Sequence, residues 1–154
     1  HSNVAPVITA VGDTVIVPEQ TAFAYYPEIT DPDDAAHTIT YDAIPSWCTN
    51  SNDSVVGMAP AVRSVEPLTV IAADYCGTDT LSFAVQVYVC GDANGDGDVN
   101  VGDGVFVISY VFKGGEAPSP VQAGDANCDG ETNVGDAVYI INFVFKGGDP
   151  PCCP

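Results

Sequence analysis

Basic residues are nearly missing from this sequence. Arg63, Lys113 and Lys146 face 21 Asp and Glu, for a formal net charge of −18. Nucleic acid and anionic lipid need a positive surface, so both are poor partners, and cations are the natural counterpart. Two histidines and three basic residues leave little material for acid–base or phosphate chemistry. No apolar run reaches the roughly 20 residues that span a bilayer. C-x-x-C pairs and histidine partners for zinc are also missing. The first residue is His1, with no charged-then-apolar leader. A removed secretory signal would explain that start, and so would an engineered one.

Apolar residues and cysteines are plentiful. Apolar types make up 46% of 154 residues, enough to bury a core in one ordinary domain or two small ones. Six cysteines (Cys48, Cys76, Cys90, Cys128, Cys152, Cys153) are many for this length. Their even number, the acidic, lysine-poor surface and the lack of a catalytic neighbourhood favour disulfides and an oxidising, extracellular compartment over free thiols.

The chain repeats itself. Residues 91–115 and 124–148 align without a gap at a period of 33, identical at 17 of 25 positions. The unit reads GDAN-x-DG-x-x-NVGD-x-V-x-x-I-x-x-VFKGG. Before it, "PVITAV", "DTVIVP", "QTAFAYY", "HTITYDAI", "PLTVIAAD" and "TLSFAVQVYV" are short, rich in Val, Thr, Ile and aromatics, and separated by Pro, Gly, Asp and Asn. Leu81, Phe83, Val85, Val87 and Val89 alternate with Ser82, Ala84, Gln86 and Tyr88. Six or seven such strands predict an antiparallel β-sandwich over 1–89. The repeat region, 90–154, follows without a flexible linker, so a fixed mutual orientation is expected.

Each repeat reads as an acidic loop and then a helix. Asp103 and Asp136 suit the positive end of the helix dipole, Lys113 and Lys146 the negative end. Gly-Gly stops each helix. The loops have the chemistry of a hard divalent cation site, which wants several oxygens at about 2.3–2.6 Å. A twelve-residue loop supplies them from positions 1, 3, 5, 7, 9 and 12, with Gly at 6 for the turn. Those are Asp92, Asn94, Asp96, the Asp98 carbonyl, Asn100 and Asp103, with Gly97 at the turn. In the second loop they are Asp125, Asn127, Asp129, the Glu131 carbonyl, Asn133 and Asp136, with Gly130. Calcium fits better than magnesium, which tolerates a flexible many-oxygen cage poorly. A solvated acidic turn would explain neither the Gly at 6 nor the carboxylate at 12. Two departures from a full EF-hand are plain: position 12 is Asp, and no helix precedes either loop.

The tandem "GDANGDGDVNVGD…VFKGG / GDANCDGETNVGD…VFKGG" resembles a type I dockerin module over about residues 91–150. The resemblance implies calcium in both loops, two helices packed with near two-fold symmetry, and docking onto cohesins, which are β-sandwich domains. It places recognition residues after each loop, at Val101, Gly102, Ile108, Ser109 and Lys113, and at Val134, Gly135, Ile141, Asn142 and Lys146. It also implies that the module's ends meet, which makes a clasp from Cys90 to the tail (149–154) plausible and leaves Cys128 for the other tail cysteine. This sequence departs from the family where outward helix faces are polar. Here 105–112 are apolar except Ser109 and the mixed Tyr110, and 138–145 except Asn142 and the mixed Tyr139. Such helices are expected to be covered on more than one side, either by the chain's own sandwich or by another chain.

Residues 3–89 resemble bacterial cadherin-like, Ig-like domains, through "ITDPDDAAHTITYDAIPSW" and "VIAADYCGTDTLSFAVQVYV". The fold class expected for the whole is therefore α+β in two domains: an all-β Ig-like sandwich and a small, mainly α dockerin-like domain of two calcium loop-helix repeats. Trp47 reads as a core or edge plug. Cys48 and Cys76, alone in the sandwich, are expected to pair. "TDPDD" with Glu19 offers a further calcium site at Glu19, Asp31 and Asp33, though such runs are more often solvated turns. Asn52-Asp53-Ser54 is a glycosylation sequon.

An enzyme is the weakest functional reading, because the paired carboxylates are committed to metal. Two others stand. One is an extracellular structural subunit whose dockerin-like plug grips the β-sandwich of the next copy, a heterologous contact that need not close and so builds a fibre or layer. The other is a surface or accessory protein docking to a separate cohesin-bearing scaffold.

Overall fold

A computed structural model describes residues 4–33 and 36–151. The chain divides into two compact units. The first comprises His1–Val17, Thr21–Ala59 and Ser64–Gln86, the second Pro18–Gln20, Pro60–Arg63 and Val87–Pro154.

Nine strands form three sheets among the described residues. Strand β1 (Val7–Ile8) pairs antiparallel with β4 (Ile29–Thr30). A four-stranded sheet has the order β2 (Thr14–Pro18), β9 (Thr78–Tyr88), β8 (Ser64–Ala73), β5 (Thr38–Ala43). A three-stranded sheet has the order β3 (Ala22–Tyr25), β7 (Ser54–Met58), β6 (Cys48–Ser51). The sequence alternation is realised in the core. Leu68, Val70 and Ala72 of β8 and Val85 of β9 are fully buried, as a period-two strand with one face on a core requires. Tyr25 of the three-stranded sheet meets Phe83 of the four-stranded sheet edge-on, centroids 5.0 Å apart, so these two sheets face each other. Trp47 is half-buried, edge-on to Phe23 at 5.6 Å.

Cys48 and Cys76 are not joined, contrary to the sequence expectation; each remains a thiol. Pairing register explains this. Cys76 lies in the turn just past Ala73, which opposes Thr38. Ser46, two residues before Cys48, donates its backbone N–H to Glu66 at 2.6 Å. Glu66 and Ala73 are seven residues apart on β8, about 23 Å at the usual strand rise. A disulfide needs Cα atoms within about 7 Å.

In the second unit, α1 (Val101–Lys113) and α2 (Val134–Lys146) pack on each other, with a 3-10 turn at Val121–Gly124 between them. Gly104 and Ala137, equivalent in the repeat, lie at the crossing. A Cβ on Gly104 would lie 3.2 Å from Ile141 Cγ1 and 3.4 Å from the Ala137 carbonyl oxygen. The small core is Ala93, Val107, Ala126, Ala137 and Ile140. A Cβ on Gly91 would lie 2.7 Å from Pro151 Cγ, so the last described residue packs against the start of the first acidic loop. Cys90 is disulfide-bonded. Cys128 remains a thiol, and Cys152 and Cys153 lie outside the described residues.

The expected α+β class with a mainly α second domain does not hold. The described chain is mostly β, nine strands in three sheets, with two α-helices of 13 residues each. Most of what surrounds the helices is turn, bend and loop. Gly114 and Gly147, at φ 63° and 62°, end the helices in the left-handed region. The Pro- and Gly-rich connector cannot extend them, and the acidic loops spend their backbone donors on their own side chains.

Candidate metal centres

The two acidic loops fold into matching hydrogen-bonded cages. In the first, Asp92 Oδ2 accepts from Gly97 N at 3.0 Å, Asn94 Oδ1 from Asp96 N at 2.9 Å, and Asp96 Oδ1 from Asp98 N at 3.0 Å. In the second, Asp125 Oδ2 accepts from Gly130 N at 2.9 Å, Asn127 Oδ1 from Asp129 N at 2.9 Å, and Asp129 Oδ1 from Glu131 N at 3.0 Å. Gly97 and Gly130 sit at φ 96° and 91°, a turn that suits glycine.

The last carboxylate closes each loop and starts each helix. Asp103 accepts from Asn94 N at 3.1 Å and Asn100 N at 2.8 Å. Asp136 accepts from Asn127 N and Asn133 N at the same distances. Asn100 and Asn133 cap the helices through Gly102 N and Gly135 N, each at 2.7 Å. Asp103 and Asp136 are wholly buried. Burial raises the pKa of both carboxyls. Hydrogen bonds from Asn100 and Asn94, or Asn133 and Asn127, pull back, and neighbouring acids add to the rise. Asp96 shifts down, held by the Asp98 backbone N–H and the Asn94 side chain, and Asp129 by Asn127 and then Glu131 N–H.

This donor set fits a hard cation. Each loop carries carboxylate, amide and backbone carbonyl oxygens, the ligand types a hard cation takes. Asp92 is 3% exposed, and its Oδ1 is buried without a hydrogen-bond partner. A buried carboxylate oxygen without a donor is costly unless something positive meets it.

The proposed third centre changes membership. Asp31 and Asp33 meet Asp74, with one oxygen of each within 4.8 Å of the others. Glu19 is not in that group and accepts from Cys90 N at 3.2 Å. Asp74 comes from the β8–β9 turn, and only the fold brings it to "TDPDD".

The expected recognition residues divide by exposure. Val101, Lys113, Val134 and Lys146 are exposed, and Gly102, Ser109, Gly135 and Asn142 are half-buried. Ile108 packs against the small core and Ile141 lies at the Gly104 crossing. Six apolar side chains belong to the apolar runs 105–112 and 138–145 that the sequence marked as needing cover. They are Val105, Val111 and Phe112, with Val138, Val144 and Phe145 at the same repeat positions, and all are exposed. The spacing of Val101, Val105 and Phe112 put them on one helical stripe, and that periodicity was the available signal.

No curated protein matches this chain. Among solved structures, a Bacteroides fragilis protein assigned as an alpha-galactosidase matches at 12% identity and TM-score 0.46, over 54% of this chain and 17% of its own. Human Protocadherin-24 EC1-2 matches at 19% and 0.43, over 56% and 44%. A Dscam structure solved for isoform specificity matches at 9% and 0.44, over 56% and 25%. This chain thus spans less than half the length of each, and likeness at this level does not fix a fold. The repeat region gives the firmer finding. The family model for the Dockerin type I domain, a calcium-binding, non-catalytic docking module, matches residues 90–145.

Proposed function

We propose that this is a non-enzymatic, extracellular calcium-binding assembly protein. Its helix pair docks onto a β-sandwich, head-to-tail between copies of this chain. The observation that carries the reading is a duplicated apolar ridge. Val105 and Val138 are 59% and 53% exposed, and Phe112 and Phe145 are 67% and 69% exposed. Two phenylalanines and their valine neighbours, bare at equivalent positions, want a protein surface over them.

Asp92, Asn94, Asp96, the Asp98 carbonyl, Asn100 and Asp103 would hold one calcium. Asp125, Asn127, Asp129, the Glu131 carbonyl, Asn133 and Asp136 would hold the other. Bound calcium supplies positive charge to each loop. The residues do the rest: Asp103 and Asp136 tie loop to helix, and the helix pair presents the ridge. The Dockerin type I match supports calcium-dependent docking onto a protein partner. It also favours a second reading, in which the partner is a cohesin-type domain on another protein.

Sedimentation in millimolar calcium and again after a chelator tests the proposal. Large species are expected in calcium, and they should dissociate with chelator and in Phe112→Asp/Phe145→Asp. A monomer in calcium that binds an added cohesin domain would move the assignment to the second reading.

A further inference from the structure

We infer that Arg63 is a positioning residue for the first acidic loop, so that two loops nearly identical in sequence are unequally ordered before calcium arrives. The inference builds on the calcium reading above. The contact is specific: Arg63 Nη1 donates to the Gly95 carbonyl at 2.8 Å. Residue 95 lies between Asn94 and Asp96, two of the oxygen-bearing positions.

Gly95 itself shows that the loop makes room for this arginine. Its φ is 75°, and the equivalent residue in the second loop, Cys128, has φ 62°. The second loop therefore reaches nearly the same backbone conformation with a side chain present. What differs is the space above the backbone. A Cβ on Gly95 would collide with Arg63 Nη1. Arg63, Asn94, Gly95, Phe106, Glu116 and Ser119 line one shared hollow of about 320 Å³.

The consequence is local. Each loop contains four acids, counting from its first to its last liganding position. In the first, a guanidinium hydrogen-bonded to the backbone offsets part of their repulsion and holds residue 95 in the turn. Arg63 is exposed, so its hold is that of one surface hydrogen bond.

The test is amide exchange in the full chain without calcium, read at Gly97 and Gly130. These donate to Asp92 and Asp125 at 3.0 and 2.9 Å, the first bond partly buried and the second exposed. Gly97 should exchange about 3–10 times more slowly than Gly130, the worth of roughly one net hydrogen bond. Arg63→Ala should erase that difference and leave Gly130 unchanged. Gly95→Ala, which displaces the guanidinium and also strains residue 95 at its positive φ, should lower Gly97 protection at least as far. Equal exchange in the unaltered chain would overturn the inference, as would a difference that survives both substitutions. Calorimetry in the same samples separates the two readings: no calcium uptake at either loop would remove the calcium reading, whatever the exchange rates.

Discussion

The two units of this chain use buried positions in opposite ways. The first fills its interior with Leu68, Val70, Ala72 and Val85, all fully buried and all apolar. The second places two aspartates, Asp103 and Asp136, at equally complete burial beside a core of alanines, Val107 and Ile140. A buried carboxylate is costly without compensation, and an apolar side chain is not. Cohesion in the first unit is therefore built from the chain's own atoms. In the second, it is left partly to whatever positive charge the loops take up.

Calcium removal should separate the two units most strongly. With chelator, amide protection in α1 and α2 should fall about tenfold or more, while β8 and β9 keep theirs. Equal loss in both units would erase the contrast. Core substitutions come next. Leu68→Ala should cost the first unit about 2–5 kcal/mol at any calcium concentration, measured by denaturant unfolding followed at Trp47. Gly104→Leu should cost the second about 1–3 kcal/mol by overpacking the helix crossing, seen as weaker calcium binding in calorimetry. The smallest effect is chemical. Burial, with Glu66 nearby, pushes the Cys48 thiol up to about 11. Its raised value keeps it protonated in the folded chain, so stability from this group is lost only as pH climbs from the thiol's ordinary range through about 11. Iodoacetamide at pH 8 should label exposed Cys76 quickly and leave Cys48 unmodified until the first unit unfolds, as read by peptide mass.

What could be read from sequence was whatever lies close along the chain. The hydrogen-bonded loops of Asp92 to Asp103 and Asp125 to Asp136 form within a dozen residues, so local spacing is enough to set them. The alternation around Phe83, Val85 and Val87 likewise announced a strand with one buried face. What failed depended on distant pairing. Cys48 and Cys76 share a sandwich but sit near opposite ends of β8. Asp74 joins Asp31 and Asp33 only because β8 turns into β9 beside them. The repeats were read as mainly helical from their apolar runs, and the structure gives much of that region to loops whose backbone bonds to its own carboxylates. The apolar runs 105–112 and 138–145 were visible too, but periodicity names a stripe without saying what covers it.

The packing of Pro151 on Gly91 has a mechanical meaning. The stretch from residue 91 to residue 151 leaves and returns to nearly one point in space. A pull between residues 91 and 151 loads that short contact first, and the acidic loops and both helices hang outside the line of force. Tension applied at these two points bypasses both helices without bending them.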